Sequence, residues 1–423
     1  MNPDLLVLYE DAGWRRLWPL SATRPVWALR LGGRCLWEKQ RDAFRPARIA
    51  VDLGAVISEA EARVPVIRAF ADAAEVWSSP EPAAAGSTVL WWNGAAPPPL
   101  AALPPLPEGA GGVRFLSGPR RVAGLLHRAG AGHLEELRDL RFADSRLPAG
   151  WAEATVETAW VGELWDLCKL LPVEIERDAA AAVAAGEVAP FAGGGGAHAL
   201  GERVYAARDA RIDAGAVLDG RGGPVVVAAG AVVEPLSHVV GPAWIGPGSH
   251  VLGGKVGGSA LGPQCRVGGE VELTVFQGHG NKRHQGFLGH AAVGEWVNLG
   301  AMTANSDLKN NYGPVRVWVN GVETDSGEHK VGCFLGDHVK TGIGTLITTG
   351  AVVGPGSNLF GGGRFTPRYV PGWAWWDGDA VVPHRWDKFL ATARTAMGRR
   401  GVVLTAAYEA ALLAAWKRGP KAL

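Results

Sequence analysis

Between Ile212 and Leu359 the aliphatic positions fall on a beat of six. Val227, Val233, Val239, Ile245 and Val251 each follow the last by six residues, and Leu261 and Val267 carry the beat on. It returns at Leu335, Thr341, Ile347, Val353 and Leu359. A helix cannot produce this spacing, and neither can the alternation of an ordinary strand. A six-residue period predicts a parallel β-helix. Each hexapeptide supplies one short strand and one turn. Its aliphatic points into the column, and the next residue, often Gly, Asp or Asn, sits near a corner. Three faces make a coil of about 18 residues, and coils stack about 4.8 Å apart. Each coil touches only its neighbours, so the ends need covers. A β-sandwich with accidental spacing competes, but two runs at exact intervals of six argue against it.

The beat breaks between Leu299 and Leu335. Counting on in sixes reaches Asn305, Asn311, Val317, Glu323 and His329, which cannot all point inward. The stretch 304–333 therefore leaves the column as an external loop. PVRVWVNGVET alternates apolar and polar residues around Asn320-Gly321, which predicts a hairpin. Such a loop walls a cleft on its side or reaches a neighbouring subunit.

Residues 1–190 show no hexapeptide pattern. LLVLYE and STVLWWN read as buried strands, with helical patches at 120–140 and 163–185. Strands alternating with helices predict an α/β domain. The Pro-rich stretch Ala95–Pro107 reads as a surface loop, and the Gly-rich joint at 191–199 separates this domain from the β-helix at 200–365. Residues 366–423 read as a connector and two helices suited to covering the open end of the column. An amphipathic membrane helix is the alternative there. The last helix is short and mostly Ala, which favours packing.

Composition narrows the setting. Lys and Arg number 42 against 41 acids, for a net charge of +1, so no basic field is present to hold nucleic acid. No apolar run approaches the roughly 18 residues of a membrane span. The start, MNPDLLVLYEDAGWRR, lacks the pattern of a signal peptide. Cys35, Cys168, Cys265 and Cys333 are far apart, which suggests neither a zinc cluster nor a disulfide framework. A cytoplasmic protein is expected. Gly, at 60 residues, is about twice the usual share, as repeated tight turns require.

The segment NKRHQGFLGHAAVGEWVNLGAMTAN places His284, Leu288, Gly289, Val293, Gly294, Val297, Asn298, Leu299, Gly300 and Ala301 at fixed spacing. This pattern resembles the acetyltransferase half of the bifunctional bacterial enzymes that make UDP-N-acetylglucosamine. SGEHKVGCFLGDHVKTGIGTLITTG resembles the archaeal sugar-nucleotide synthases of the same group. The resemblance implies a left-handed β-helix that forms a homotrimer with acetyl-CoA between neighbouring columns, the loop 304–333 helping to form that cleft. It implies that His284 is the general base, a role suited to a side chain whose pKa lies near working pH. It implies that the N–H of Ala301 meets the developing oxyanion and that Asn298 meets the sugar. Lys282 and Arg283 are the candidates for its phosphate. Asn305, a substrate-binding candidate, either lines the site with Asn310, Asn311 and Tyr312 or shapes the loop with them. Acetyl-CoA would meet Ala301 and the corner Thr341-Gly342-Ile343. The pattern departs from the group at His290, usually Asp, at Phe287, usually Tyr, and at Glu272, where a phosphate-binding Lys falls. Those departures touch the sugar. The competing readings of the His284 stretch are a surface turn, or a weak two-histidine metal pair with His290.

EDAGWRRLWPLSATRPVWALRLGGRCLWEK resembles the start of sugar-1-phosphate nucleotidyltransferases, whose Gly-rich loop cradles phosphates. Gly13, Arg16, Leu17, Pro19 and Pro25 match in part. The paired glycines are absent, and Val26 stands in place of the lysine. Arg16 and Arg24 are the substrate-binding candidates that the resemblance implies, with Arg15 and Lys39 as further substitutes. The usual Gly-Asp pair corresponds to Asn93-Gly94, a weaker Mg2+ ligand, so Asp11 and Asp166 are the metal candidates. The expected substrates are a sugar phosphate, acetyl-CoA and a nucleoside triphosphate, with Mg2+ where the N-terminal domain is active. Three readings stay open: an amino-sugar N-acetyltransferase fused to a divergent nucleotidyltransferase, a nucleotidyltransferase whose β-helix only assembles and regulates, and a non-catalytic trimeric scaffold.

Overall fold

The hexapeptide beat builds what it predicts. In the computed structural model, which describes residues 2–52, 60–73, 86–118, 121–129 and 134–419, a parallel β-solenoid runs from His198–Leu200 to Ala374–Trp376 in about ten turns. Aliphatics stack on aliphatics: Val227 pairs with Ile245, and Ile245 with Leu261. On the next face Val233 pairs with Val251 and Val251 with Val267. Nearly all of these side chains are withdrawn from solvent, which supplies the hydrophobic driving force that short strands lack alone. The last coil is filled by Trp376, 2% exposed, whose ring lies where a side chain on Gly361 would stand.

The N-terminal part is a six-stranded mixed sheet. Its order is Arg48–Val51, Leu5–Tyr9, Thr88–Asn93, Val122–Arg128, Gly112–Leu116, Trp151–Thr155. The helical patch expected over 120–140 is instead mainly the strand Val122–Arg128, with a short helix Leu134–Asp139; residues 120 and 130–133 lie outside the described residues. The strand wins because VAGLLH sits between two partners and is buried on both sides of the sheet. The expected helices at 163–185 appear as Asp166–Lys169 and Leu171–Ala184.

This domain lies along one face of the solenoid. Val226, Trp244, Ala260, Val275, Ala292, Phe334 and Val352, outward on that face, share a core with Leu31, Leu171 and Ile175. Gly33 makes the contact possible: a Cβ there would stand 2.3 Å from the Trp244 ring. The excursion 304–333 contains the expected hairpin, Arg316–Val319 and Val322–Asp325, turning at Asn320 (φ 49°) and Gly321 (φ 86°). It does not wall an open cleft within this chain. Val315, Val317, Val319 and Val331 join the interdomain core, and Lys169 reaches Glu328 at 2.7 Å.

The helices Trp386–Gly398 and Ala406–Arg418 follow. The second packs on the N-terminal helix Ala60–Ala73, with Ala411 against Val66 and Ala69. Phe389 and Tyr408 meet His338 on a solenoid corner. The helices thus tie the two domains together along an edge, and Trp376 covers the column's last coil. No helix among the described residues is long and apolar enough to cross a membrane.

Candidate functional site

His284 sits on a corner between the strands Asn281–Lys282 and Phe287–Gly289. It is exposed, as are Arg283 and Gln285. The corner stacks directly on the next one, because the Met302 N–H donates to the Gln285 carbonyl at 2.9 Å. Gly286 (φ 133°) permits that approach, since a Cβ there would stand 2.1 Å from the Thr303 oxygen. The third corner follows, with the Gly344 N–H donating to the Ala301 carbonyl at 2.8 Å. The Ala301 N–H itself donates to no group among the described residues. Three successive corners thus bring together His284, Ala301 and the Gly342–Thr345 turn. Ile343 is exposed at that turn, and the Phe360 ring covers Gly342.

Asn298 lies on the adjoining outer face, where its Oδ1 accepts from Asn281 Nδ2 at 2.8 Å. Lys340 pairs with it one coil on, and burial lowers the Lys340 pKa to about 8. His290 is not a partner of His284. It occupies the opposite corner of the third face, with Nδ1 2.7 Å from Asp307 Oδ2. Arg283 projects from the His284 corner itself.

Several residues expected at the site point elsewhere. Lys282 is 2% exposed and turns into the column, paired beside Val267, so it does not meet a phosphate from outside. Its Nζ donates to the Gly268 carbonyl at 2.7 Å and to the His284 carbonyl at 3.1 Å. Asn305 also points inward. Its amide exchanges hydrogen bonds with the Gly289 N–H and C=O at 2.8 and 2.9 Å, a backbone-like rung. Thr341 is an inward residue whose Oγ1 accepts from the Gly300 N–H at 2.9 Å. The signal for Lys282 and Asn305 was available: counting six back from Leu288 lands on Lys282, and six on from Leu299 lands on Asn305.

In the N-terminal domain Asp11 and Asn93 meet at the carboxyl ends of adjacent parallel strands, the usual place for a ligand crevice. Asp11 Oδ1 accepts from the Gly13 N–H and Oδ2 from Asn93 Nδ2, both at 2.8 Å. Arg16 Nε donates to Glu163 at 2.6 Å. Asp166 Oδ2 accepts the Gly162 and Glu163 N–H groups at 2.9 Å, and burial raises its carboxyl pKa. These donors do not fit a Mg2+ cage. Asp11 and Asn93 are bonded to each other, Asp166 holds a turn, and the described residues contain no group of three potential ligands.

Arg24 is not a nucleotide ligand here. It is buried against the solenoid, with Nη2 2.9 and 2.8 Å from the two oxygens of Asp337. Thr23 donates to the same carboxylate at 2.6 Å. Lys39 is equally committed, to Asp178 at 2.6 Å and Glu174 at 3.0 Å. The buried pair Glu10–Arg63 pins this loop from behind. Sequence reasoning missed Asp337 and Glu295, which lie on a solenoid corner and have no local pattern pointing to Arg24.

Residues 6–185 match the family model described as sugar nucleotidyl transferase. The chain is 32% identical over 99 residues to the bifunctional sugar-1-phosphate nucleotidylyltransferase/acetyltransferase of Sulfurisphaera tokodaii, covering 23% of this chain and 25% of the relative. It is 32% identical over 132 residues to the bifunctional protein GlmU of Gloeobacter violaceus, covering 31% and 24%. With the GlmU of an Acidovorax species it shares 30% identity over 196 residues, covering 40% and 36%. The chain thus spans between about a quarter and a third of the length of these relatives. The chain joins an α/β domain that matches this family model to a hexapeptide solenoid. The N-terminal domain is thus similar to sugar nucleotidyl transferases, and part of the chain is similar to bifunctional sugar-1-phosphate nucleotidylyltransferase/acetyltransferases.

Proposed function

We propose that this chain is an acetyl-CoA-dependent N-acetyltransferase acting on an amino-sugar phosphate. The observation that carries the reading is the stack of corners: an exposed imidazole, His284, on the corner below a backbone N–H, that of Ala301, which donates to no group among the described residues. His284 takes the proton from the sugar nitrogen as that nitrogen attacks the thioester carbonyl. The Ala301 N–H stabilises the negative charge that develops on the carbonyl oxygen. Asn298 and Arg283 lie close enough along the chain to meet the sugar and its phosphate. The Gly342-Ile343 corner continues the same edge toward the rest of the acyl donor. Three copies of the chain would complete the site. Met302, Ile343 and Phe360 are exposed apolar side chains on successive corners of this one edge, and Leu236 is exposed on a corner lower down it, which suits contact with a neighbouring column. The protein would act in the cytoplasm.

The test is release of free CoA from acetyl-CoA with glucosamine-1-phosphate and related amino-sugar phosphates. His284→Ala should abolish release without loss of fold, and normal turnover in that variant would sink the base assignment. Sedimentation of the purified protein reads the trimer.

Nucleotidyl transfer in the N-terminal domain is the second reading, favoured by the meeting of Asp11 and Asn93 at the sheet edge. Against it, Arg24 and Lys39 are spent on structural ion pairs. Pyrophosphate release from UTP or dTTP with a sugar-1-phosphate decides between an active domain and one that serves to clamp the solenoid. Failure of both assays across a substrate panel leaves the scaffold reading.

A further inference from the structure

Lys282 stands inside the column at a position where the hexapeptide beat calls for an aliphatic. On its face the inward residues are Val233, Val251 and Val267 below it and Leu299, Thr341 and Leu359 above, and an aliphatic at 282 would continue a mostly apolar stack. Placing an ammonium there costs desolvation, and burial lowers the Lys282 pKa to about 8, with Glu270 on the strand below favouring the charged form. Such a cost is retained where the charge does something an alkyl group cannot.

The geometry shows what that is. Nζ reaches the end of the strand from inside and donates to two carbonyls, Gly268 O at 2.7 Å and His284 O at 3.1 Å. These belong to two successive corners. Gly269 leaves the room for it, since a Cβ there would stand 3.0 Å from Nζ. The outer side of the His284 corner is bare: His284, Arg283 and Gln285 are all exposed. Among the described residues the upper side is held by a single backbone hydrogen bond, Met302 N–H to Gln285 O. The charge-assisted bond from below therefore fixes the peptide that carries the imidazole.

We propose that Lys282 is a positioning residue for His284, its buried ammonium pinning the carbonyl of the base's own residue from inside the solenoid. The proposal rests on the reading of His284 as the base, and it replaces the expectation that Lys282 binds phosphate. Lys282 touches neither substrate nor reacting atoms. Its effect is on the fraction of time that the imidazole occupies the productive orientation, and misplacement by about 1 Å can cost on the order of a hundredfold in rate.

Lys282→Met keeps the length and suits the column. In the full-length protein the variant should lower kcat for CoA release tenfold or more, with KM for acetyl-CoA and glucosamine-1-phosphate unchanged. Amide hydrogen exchange should quicken in peptides covering 283–286 and stay unchanged in the coils at 225–261. A rise in KM for the sugar phosphate with kcat intact would overturn the proposal in favour of a phosphate ligand. So would unchanged exchange at 283–286, whatever the kinetics. Lys282→Gln is the second variant should the first fail to fold. Unfolding of both would mean that the lysine holds the column itself, which also overturns the proposal. The His284→Ala arm keeps the two claims separate. If that variant retains turnover the base assignment fails, while the exchange measurement still decides whether Lys282 orders the corner.

Discussion

Replacing Asp337 by alanine isolates what fastens the N-terminal domain to the solenoid. Asp337 is fully buried on a solenoid corner and accepts four hydrogen bonds: two from Arg24 Nη2, one from Thr23 Oγ1 and one, at 2.7 Å, from the Glu295 N–H. Its loss leaves the 2%-exposed Arg24 with the Glu295 carboxylate at 3.5 Å as its remaining ion-pair partner, and strands the Thr23 hydroxyl and the Glu295 N–H. Removing one partner of a buried pair costs about 3–5 kcal/mol, because the other charge stays buried and uncompensated. That is a large part of the roughly 5–15 kcal/mol that holds a folded protein together. Urea unfolding followed by tryptophan fluorescence reads the loss, since Trp14 and Trp244 lie in the core shared by the two domains. The double variant Arg24→Met/Asp337→Leu should recover most of it, because apolar replacement of both partners removes the unpaired charge. A cost below about 1 kcal/mol for Asp337→Ala, or a double variant as unstable as the single one, would refute the reasoning.

Three further outcomes are expected. Gly33→Val drives a side chain into the Trp244 ring and should destabilise domain docking by about 1–3 kcal/mol, read by urea titration. Asn305→Leu leaves the Gly289 N–H and C=O without partners, at about 1–3 kcal/mol, but should not change KM for the sugar phosphate; a raised KM at unchanged stability would restore Asn305 as a ligand. The third concerns pH. Burial lowers the Lys282 pKa from 10.5 to about 8, so between those values the unfolded chain binds more protons than the folded one, and stability rises with pH across that window. Lys282→Met lacks this contribution. The gap between the two stability curves should change by up to about 3 kcal/mol from pH 8 to 10.5, and parallel curves would contradict the burial of the charge.

Much of the site was written in the beat itself. The interval of six marks which side chains enter the column regardless of their chemistry, so Lys282 and Asn305 were legible as inward residues once the count was trusted over residue type. Reading Lys282 as a phosphate ligand took its charge as evidence of exposure. The solenoid overrides that preference by offering backbone carbonyls at the corner. Val122–Arg128 failed for a related reason: LLH is compatible with helix or strand, and its pairing with strands at 88–93 and 112–116 decides the matter.

The sequence by itself determined the solenoid, its corners, the hairpin at Asn320-Gly321 and the place of His284 on a turn, because these depend on contacts between residues a few to about 18 positions apart. Only the tertiary structure decided the fate of the cations in the N-terminal loop. Arg24 finds Asp337 more than three hundred residues away, and Lys39 finds Asp178, through burial of the solenoid face that carries Trp244. A charge read along the chain shows its sign. Whether it is spent on a ligand or on an internal partner depends on which distant acid is brought within hydrogen-bonding distance when apolar faces close, and that information is not local.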